Sequence, residues 1–101
     1  MSDAEVHFVK ISFEPVTEEE MTVLLGEDER LNALFTDRAA VEYDGFERGS
    51  QDFVMYFYGA NADRMASVIF PELRHLPFCD RGTALKRYGE PGGREETVRL
   101  E

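Results

Sequence analysis

The sequence predicts an α+β domain, and three observations carry that prediction. Apolar residues alternate with a period of two in several short runs, as they do on half-buried strands. In two longer runs they recur at helical spacing, each behind a capping residue. The runs follow the order strand, helix, two strands, helix, strand, with a short further strand at the end of the chain. The 101 residues, 43 % of them hydrophobic, suit one domain spanning 1–101 with a modest core.

The elements follow in order. From Val6 to Phe13, Val9, Ile11 and Phe13 share one side, with Phe8, Lys10 and Ser12 on the other. Pro15 ends this strand. Thr17-Glu18-Glu19-Glu20 has the form of a capping box, Thr17 as N-cap and Glu20 three residues later. Three glutamates in a first helical turn also suit the positive end of the helix dipole. Met21, Leu24 and Leu25 mark the apolar face. Gly26 is expected to break or bend the helix, with a second set of turns from Glu27 to Phe35. Val41 to Arg48 reads as a strand, and Arg48-Gly49-Ser50-Gln51-Asp52 as a turn. Phe53 to Tyr58 is apolar or aromatic throughout and so belongs at the centre of the sheet. Asn61 caps a helix in which Met65, Val68, Ile69, Leu73 and Leu76 keep helical spacing, and Pro71 predicts a kink or break within it. Gly82 to Tyr88 is a strand, Gly89 to Gly93 a turn, and Thr97 to Leu100 a short terminal strand.

This order is that of a split β-α-β, or ferredoxin-like, sheet (βαββαβ), with both helices on one face and an added C-terminal strand. Alternation then assigns the faces. Val9, Ile11, Phe13, Val41, Tyr43, Phe53, Met55, Phe57 and Leu85 are expected to meet the helices. Phe8, Lys10, Glu42, Asp44, Val54, Tyr56, Tyr58, Lys86 and Tyr88 are expected on the open face. Tyrosine pairs an apolar body with a polar tip, so Tyr56, Tyr58 and Tyr88 are the candidate anchors for a partner.

Charge narrows the function. There are 21 acidic side chains against 11 Lys and Arg, a formal net charge of −10. Residues 1–50 hold 13 acids and 4 bases, residues 51–101 hold 8 and 7, so the acidity belongs to the first half. Such a chain repels a phosphate backbone and is not expected to bind nucleic acid. Arg48-Gly49 ahead of Phe53-Val54-Met55-Tyr56-Phe57 departs by two or more residues from the RNA-recognition-motif spacing. Glu18, Glu19, Glu20, Glu27, Asp28 and Glu29 form two acidic clusters expected to steer a basic partner. They lack the spacing of a calcium loop, and no metal site is expected.

The remaining motifs carry little chemistry. The single cysteine, Cys79, excludes an intramolecular disulfide. As a nucleophile it would need Arg81 to lower its pKa and His75 as base, but Pro77 opposes the helical stacking of Cys79 and His75 that this requires. A serine, histidine and aspartate drawn from Ser12, His7 and Asp3 lack a nucleophile elbow. Gly89, Gly92, Gly93 and Arg94, with Lys86 and Arg87 nearby, could shape an anion nest, but a hairpin turn explains Pro91-Gly92-Gly93 without any ligand and no Walker loop is present. No catalytic residue and no cofactor are assigned. The N-terminus lacks a basic, then apolar, leader, and no apolar run nears the ~18 residues of a membrane span. A cytoplasmic location is expected.

The tail Lys86-Arg87-Tyr88-Gly89-Glu90-Pro91-Gly92-Gly93-Arg94-Glu95-Glu96-Thr97-Val98-Arg99-Leu100, preceded by Phe70-Pro71-Glu72, resembles the ends of small uncharacterised bacterial proteins. The similarity covers about the last 45 residues. It implies a small bacterial α+β domain and supplies no activity or catalytic residue.

The expected function is a non-catalytic, acidic protein-binding domain, of the immunity or inhibitor kind, that captures a basic partner. The alternative is a small-molecule-binding regulatory domain, dimeric through the open sheet face, with Lys10, Lys86 and Tyr88 lining its pocket.

Overall fold

A computed structural model describes residues 6–35, 41–90 and 92–100. Five strands, β1 (His7–Phe13), β2 (Glu42–Arg48), β3 (Phe53–Gly59), β4 (Gly82–Tyr88) and β5 (Arg94–Arg99), form one antiparallel sheet in the order β2-β3-β1-β4-β5. Two helices accompany it, α1 (Glu18–Leu34) and α2 (Ala62–Leu73). The proposed triad's Asp3 and the turn residue Pro91 lie outside the described residues.

The core lies between the helices and one sheet face. Val9, Ile11, Phe13, Phe53, Met55 and Phe57 join Met21, Leu24 and Leu31 of α1 and Met65, Ile69 and Leu73 of α2 in one buried cluster. The strand residues of this set stand opposite one another, Val9 against Phe57, Ile11 against Met55 and Phe13 against Phe53. Opposed residues of an antiparallel pair point the same way, so alternation becomes one apolar layer.

Helix α1 starts as its sequence predicts. The Thr17 hydroxyl accepts from the Glu20 amide at 3.1 Å, and the Glu20 carboxylate accepts from the Thr17 amide at 3.0 Å. The expected break at Gly26 does not occur: α1 is continuous through it. Gly26 lies on the solvent side, where a Cβ would meet nothing within 4 Å. Burial of Leu24, Glu27 and Leu31 on either side holds the turn that glycine alone would weaken.

Helix α2 is capped by Asn61, whose side chain accepts from the Arg64 amide at 3.0 Å. His7 reinforces this start, its Nδ1 accepting from the Ala62 amide at 2.9 Å. Pro71 neither breaks the helix nor lets it reach Leu76; the helix ends at Leu73. At Pro71 the ring removes one donor from the last turn, where little helix remains to be lost. A short 3₁₀ turn, Cys79–Arg81, then leads into β4.

Two strand assignments change. β5 begins at Arg94, three residues before the expected Thr97, because its ladder with β4 runs to the pair Tyr88 and Arg94. The facing of β4 is reversed. Ala84 pairs with Ile11 and Lys86 with Val9, so Ala84, Lys86 and Tyr88 lie on the helix side and Leu85 and Arg87 on the open side. The bulky apolar Leu85 suggested the opposite phase. Small residues are what this position accepts: a Cβ on Gly82 would stand 2.5 Å from Leu100 Cδ1 and 2.7 Å from Phe13 Cε1.

Among the described residues, no helix is long and apolar enough to cross a membrane.

Candidate binding site on the open sheet face

The face away from the helices is organised in three rows by the strand registers. The first crosses the sheet as Glu42, Tyr58, Phe8, Arg87 and Glu95. The second holds Tyr56, Lys10, Leu85 and Thr97. The third runs Glu47, Val54, Ser12, Thr83 and Arg99.

Phe8 anchors this surface. It lies on the face away from α1 and α2, yet it is only 8 % exposed. The rings of Tyr58 and Tyr56 lie 5.1 and 5.9 Å from its own, and the Arg87 guanidinium sits over it at 4.7 Å. The aromatic plateau is therefore formed before any partner arrives.

Its acidic border comes from an irregularity in β2. The register with β3 shifts between Tyr43 and Phe46, and Gly45 takes a positive φ of 101°. That conformation favours glycine. The extra residue turns both Tyr43 and Phe46 toward the core and returns Glu47 to the same open face as Glu42, their partners on β3 standing four residues apart. Asp44, Phe46, Glu47, Tyr56 and Tyr58 then line a shallow hollow of about 300 Å³. Within it the Tyr56 hydroxyl donates to the Glu47 carboxylate at 2.5 Å, and that bond, helped by desolvation, pushes the tyrosine pKa up to about 12. Carboxylates beside aromatic faces attract a guanidinium or ammonium group.

The structure separates the six predicted steering acids. Glu18, Glu19 and Glu29 are exposed on α1. The other three are engaged internally. Glu20 completes the capping box and pairs with Arg81, whose guanidinium also donates to the Pro15 carbonyl at 2.8 Å. Asp28 accepts from the Tyr43 hydroxyl at 2.6 Å. Glu27 is buried, only 7 % exposed, and is no part of an acidic surface. It accepts from Arg30 at 2.8 Å and from His75 Nε2 at 2.9 Å. Burial opposes its charge, but the hydrogen bonds from Arg30 and His75 outweigh it and hold the carboxyl below the usual range. Arg30 also reaches Glu72 of α2, at 2.9 Å from its carboxylate and 2.7 Å from its carbonyl, so Glu27 helps fasten the two helices together.

Of the three candidate anchors, Tyr56 and Tyr58 reach the open face and Tyr88 does not. The Tyr88 hydroxyl donates to Asp63 of α2 at 2.6 Å, and Arg94 stacks over its ring at 4.4 Å. Lys86 joins them from the helix side, 3.0 Å from Asp63 and 2.8 Å from Glu96. The pocket imagined between Lys10, Lys86 and Tyr88 is thus not assembled. Glu47, Leu85 and Arg87 belong to the open face and escaped simple alternation; the glycine inside β2 was the one signal of the first.

His75 is committed to Glu27, and burial raises the Cys79 thiol above its ordinary pKa, the reverse of what a nucleophile needs. Among the described residues, no group of three or more metal-ligating side chains converges. A larger cleft of about 720 Å³ lies elsewhere, between the start of α1 and the β2–β3 turn, lined by Met21, Leu25, Arg48 and Gln51 among others.

Comparison with protein-family models, curated proteins and solved structures finds no match for the chain.

Proposed function

We propose that the chain is a non-catalytic binding domain that captures a basic protein partner on the β2–β3 side of its open sheet face. The observation that carries this reading is the hollow in which Asp44 and Glu47 stand against Tyr56 and Tyr58. A lysine or arginine side chain laid on those rings meets carboxylates at its charged end. Glu42 on β2 and the exposed Glu18, Glu19 and Glu29 of the neighbouring α1 extend the negative field and favour fast capture. An immunity-like or inhibitor-like role in the cytoplasm fits this chemistry.

A ferredoxin-like architecture is part of the same proposal. Its support is that β3 lies between β1 and β2, and β1 between β3 and β4, with both helices buried against one face. Membership among small bacterial α+β proteins with a similar tail is likewise proposed, on the tail residues alone.

The test is comparative affinity capture from the source cell with wild type, the Tyr56→Ala/Tyr58→Ala variant and Glu47→Lys. A basic protein retained by the wild type, released by added salt and lost from both variants is the expected result. Equal retention by all three forms would place the partner elsewhere and overturn the reading.

A further inference from the structure

The two edges of the sheet are built differently. β2 is interrupted by its bulge, a device that discourages strand addition. β5 has no bulge and no proline, its charges are balanced between Arg94 and Arg99 and Glu95 and Glu96, and five of its six residues are exposed. Among the described residues, no strand neighbours its outer side.

The phase of its backbone is fixed by the ladder. The Leu100 amide donates to the Gly82 carbonyl at 3.0 Å. In an antiparallel pair the inward-bonding positions alternate, so residues 94, 96, 98 and 100 spend their amide and carbonyl groups on β4. Glu95, Thr97 and Arg99 therefore turn theirs outward. Their side chains occupy the open face, opposite Arg87, Leu85 and Thr83.

We propose that β5 pairs with β5 of a second copy of this chain, antiparallel about a two-fold axis at Thr97, making one continuous ten-stranded sheet from two five-stranded ones. In this register Thr97 faces Thr97, and Glu95 of each copy faces Arg99 of the other. Outward backbone groups meet outward backbone groups. The charges meet their opposites twice, on the same face, as cross-strand pairing favours. Sliding the register by two residues in either direction loses both Glu95–Arg99 pairs. The two open faces end on the same side of the assembly, and the contact uses none of the hollow between β2 and β3. The inference is therefore independent of the proposed basic partner.

Analytical ultracentrifugation of the full chain across a concentration series tests it. The wild type is expected to form dimers in a concentration-dependent equilibrium. Thr97→Pro removes an outward amide and leaves the β4 ladder untouched, so it is expected to be a folded monomer, with its circular dichroism retained. Glu95→Arg or Arg99→Glu alone should each weaken the dimer about tenfold or more, since attraction becomes repulsion at both symmetric pairs. The double variant Glu95→Arg/Arg99→Glu should recover most of that loss. Should Thr97→Pro lose its fold, the charge-reversal pair decides by itself. A wild type that stays monomeric at every concentration overturns the proposal, as does a dimer that the single reversals leave unchanged or that the double variant fails to restore.

Discussion

At the residue scale, Glu27 links acidity to stability. It sits in the seam between α1 and α2, and its folded pKa is depressed by Arg30 and His75 against the opposing cost of burial. A depressed carboxyl contributes stability above its unfolded pKa and loses it as pH falls through the folded value. The wild type should therefore lose stability progressively below about pH 4.3, the ordinary glutamate range. Glu27→Gln should be less stable at neutral pH and show a shallower acid limb; urea midpoints measured between neutral and acidic pH check both. Gly26 offers the opposite experiment. Its Cβ space is open and its backbone is helical, so Gly26→Ala should stabilise the protein by up to ~1 kcal/mol, read as a higher urea midpoint. Tyr56 gives a spectroscopic handle. Its pKa is pushed up to about 12 by Glu47, while Tyr43, through burial and its bond to Asp28, and Tyr88, through its bond to Asp63, are raised as well. Of these late-ionising tyrosines in an ultraviolet titration, Glu47→Gln should bring only Tyr56 back toward the ordinary value.

At the element scale, each piece of secondary structure has its own failure point. Thr17→Ala should cost about 1 kcal/mol of stability through loss of the α1 cap, seen as a lower thermal midpoint. Gly82→Ala should cost more, about 1–3 kcal/mol, because the new methyl would press on Leu100 and Phe13 at the start of β4. Elements with a local chemical signature were legible in the sequence. The capping box of α1, the Asn61 cap of α2, the alternation of β1 and the unbroken apolar and aromatic run of β3 all led to the right element. The errors arose where long-range contacts decide. Gly26 tolerates its helix because flanking residues are buried, which no window around Gly26 reveals. The phase of β4 is set by the space beside Phe13 and Leu100, so glycine and alanine take the core side while leucine turns outward.

At the scale of the whole molecule, the charge asymmetry between the two halves becomes a spatial one. α1 packs beside β2, so exposed acids from both gather on one flank, while Arg87 and Arg99 lie toward the other side of the sheet. The candidate site was half legible for this reason. Tyr56, Tyr58 and the acidic first half were visible in the sequence, but the bulge that joins them into a hollow was not. Nor could the sequence show that Glu20, Glu27 and Asp28 are engaged by Arg81, Arg30 and Tyr43.

The network around Lys86 has a practical sequel. The chain contains two lysines, Lys10 and Lys86. Lys86 is held by Glu96 and Asp63, which raise its pKa, and its side chain is 12 % exposed. It is thereby deprived of the neutral, accessible amine that acylating reagents require. Lys10 stands in the middle row of the open face, beside Tyr56 and Leu85. Apart from the N-terminal amine, mild acylation is thus directed to one lysine on the open face, opposite Tyr56 of the hollow. The rate at which Lys10 takes up label becomes a footprint of that face: it should fall when the face is covered and stay constant when a partner binds elsewhere.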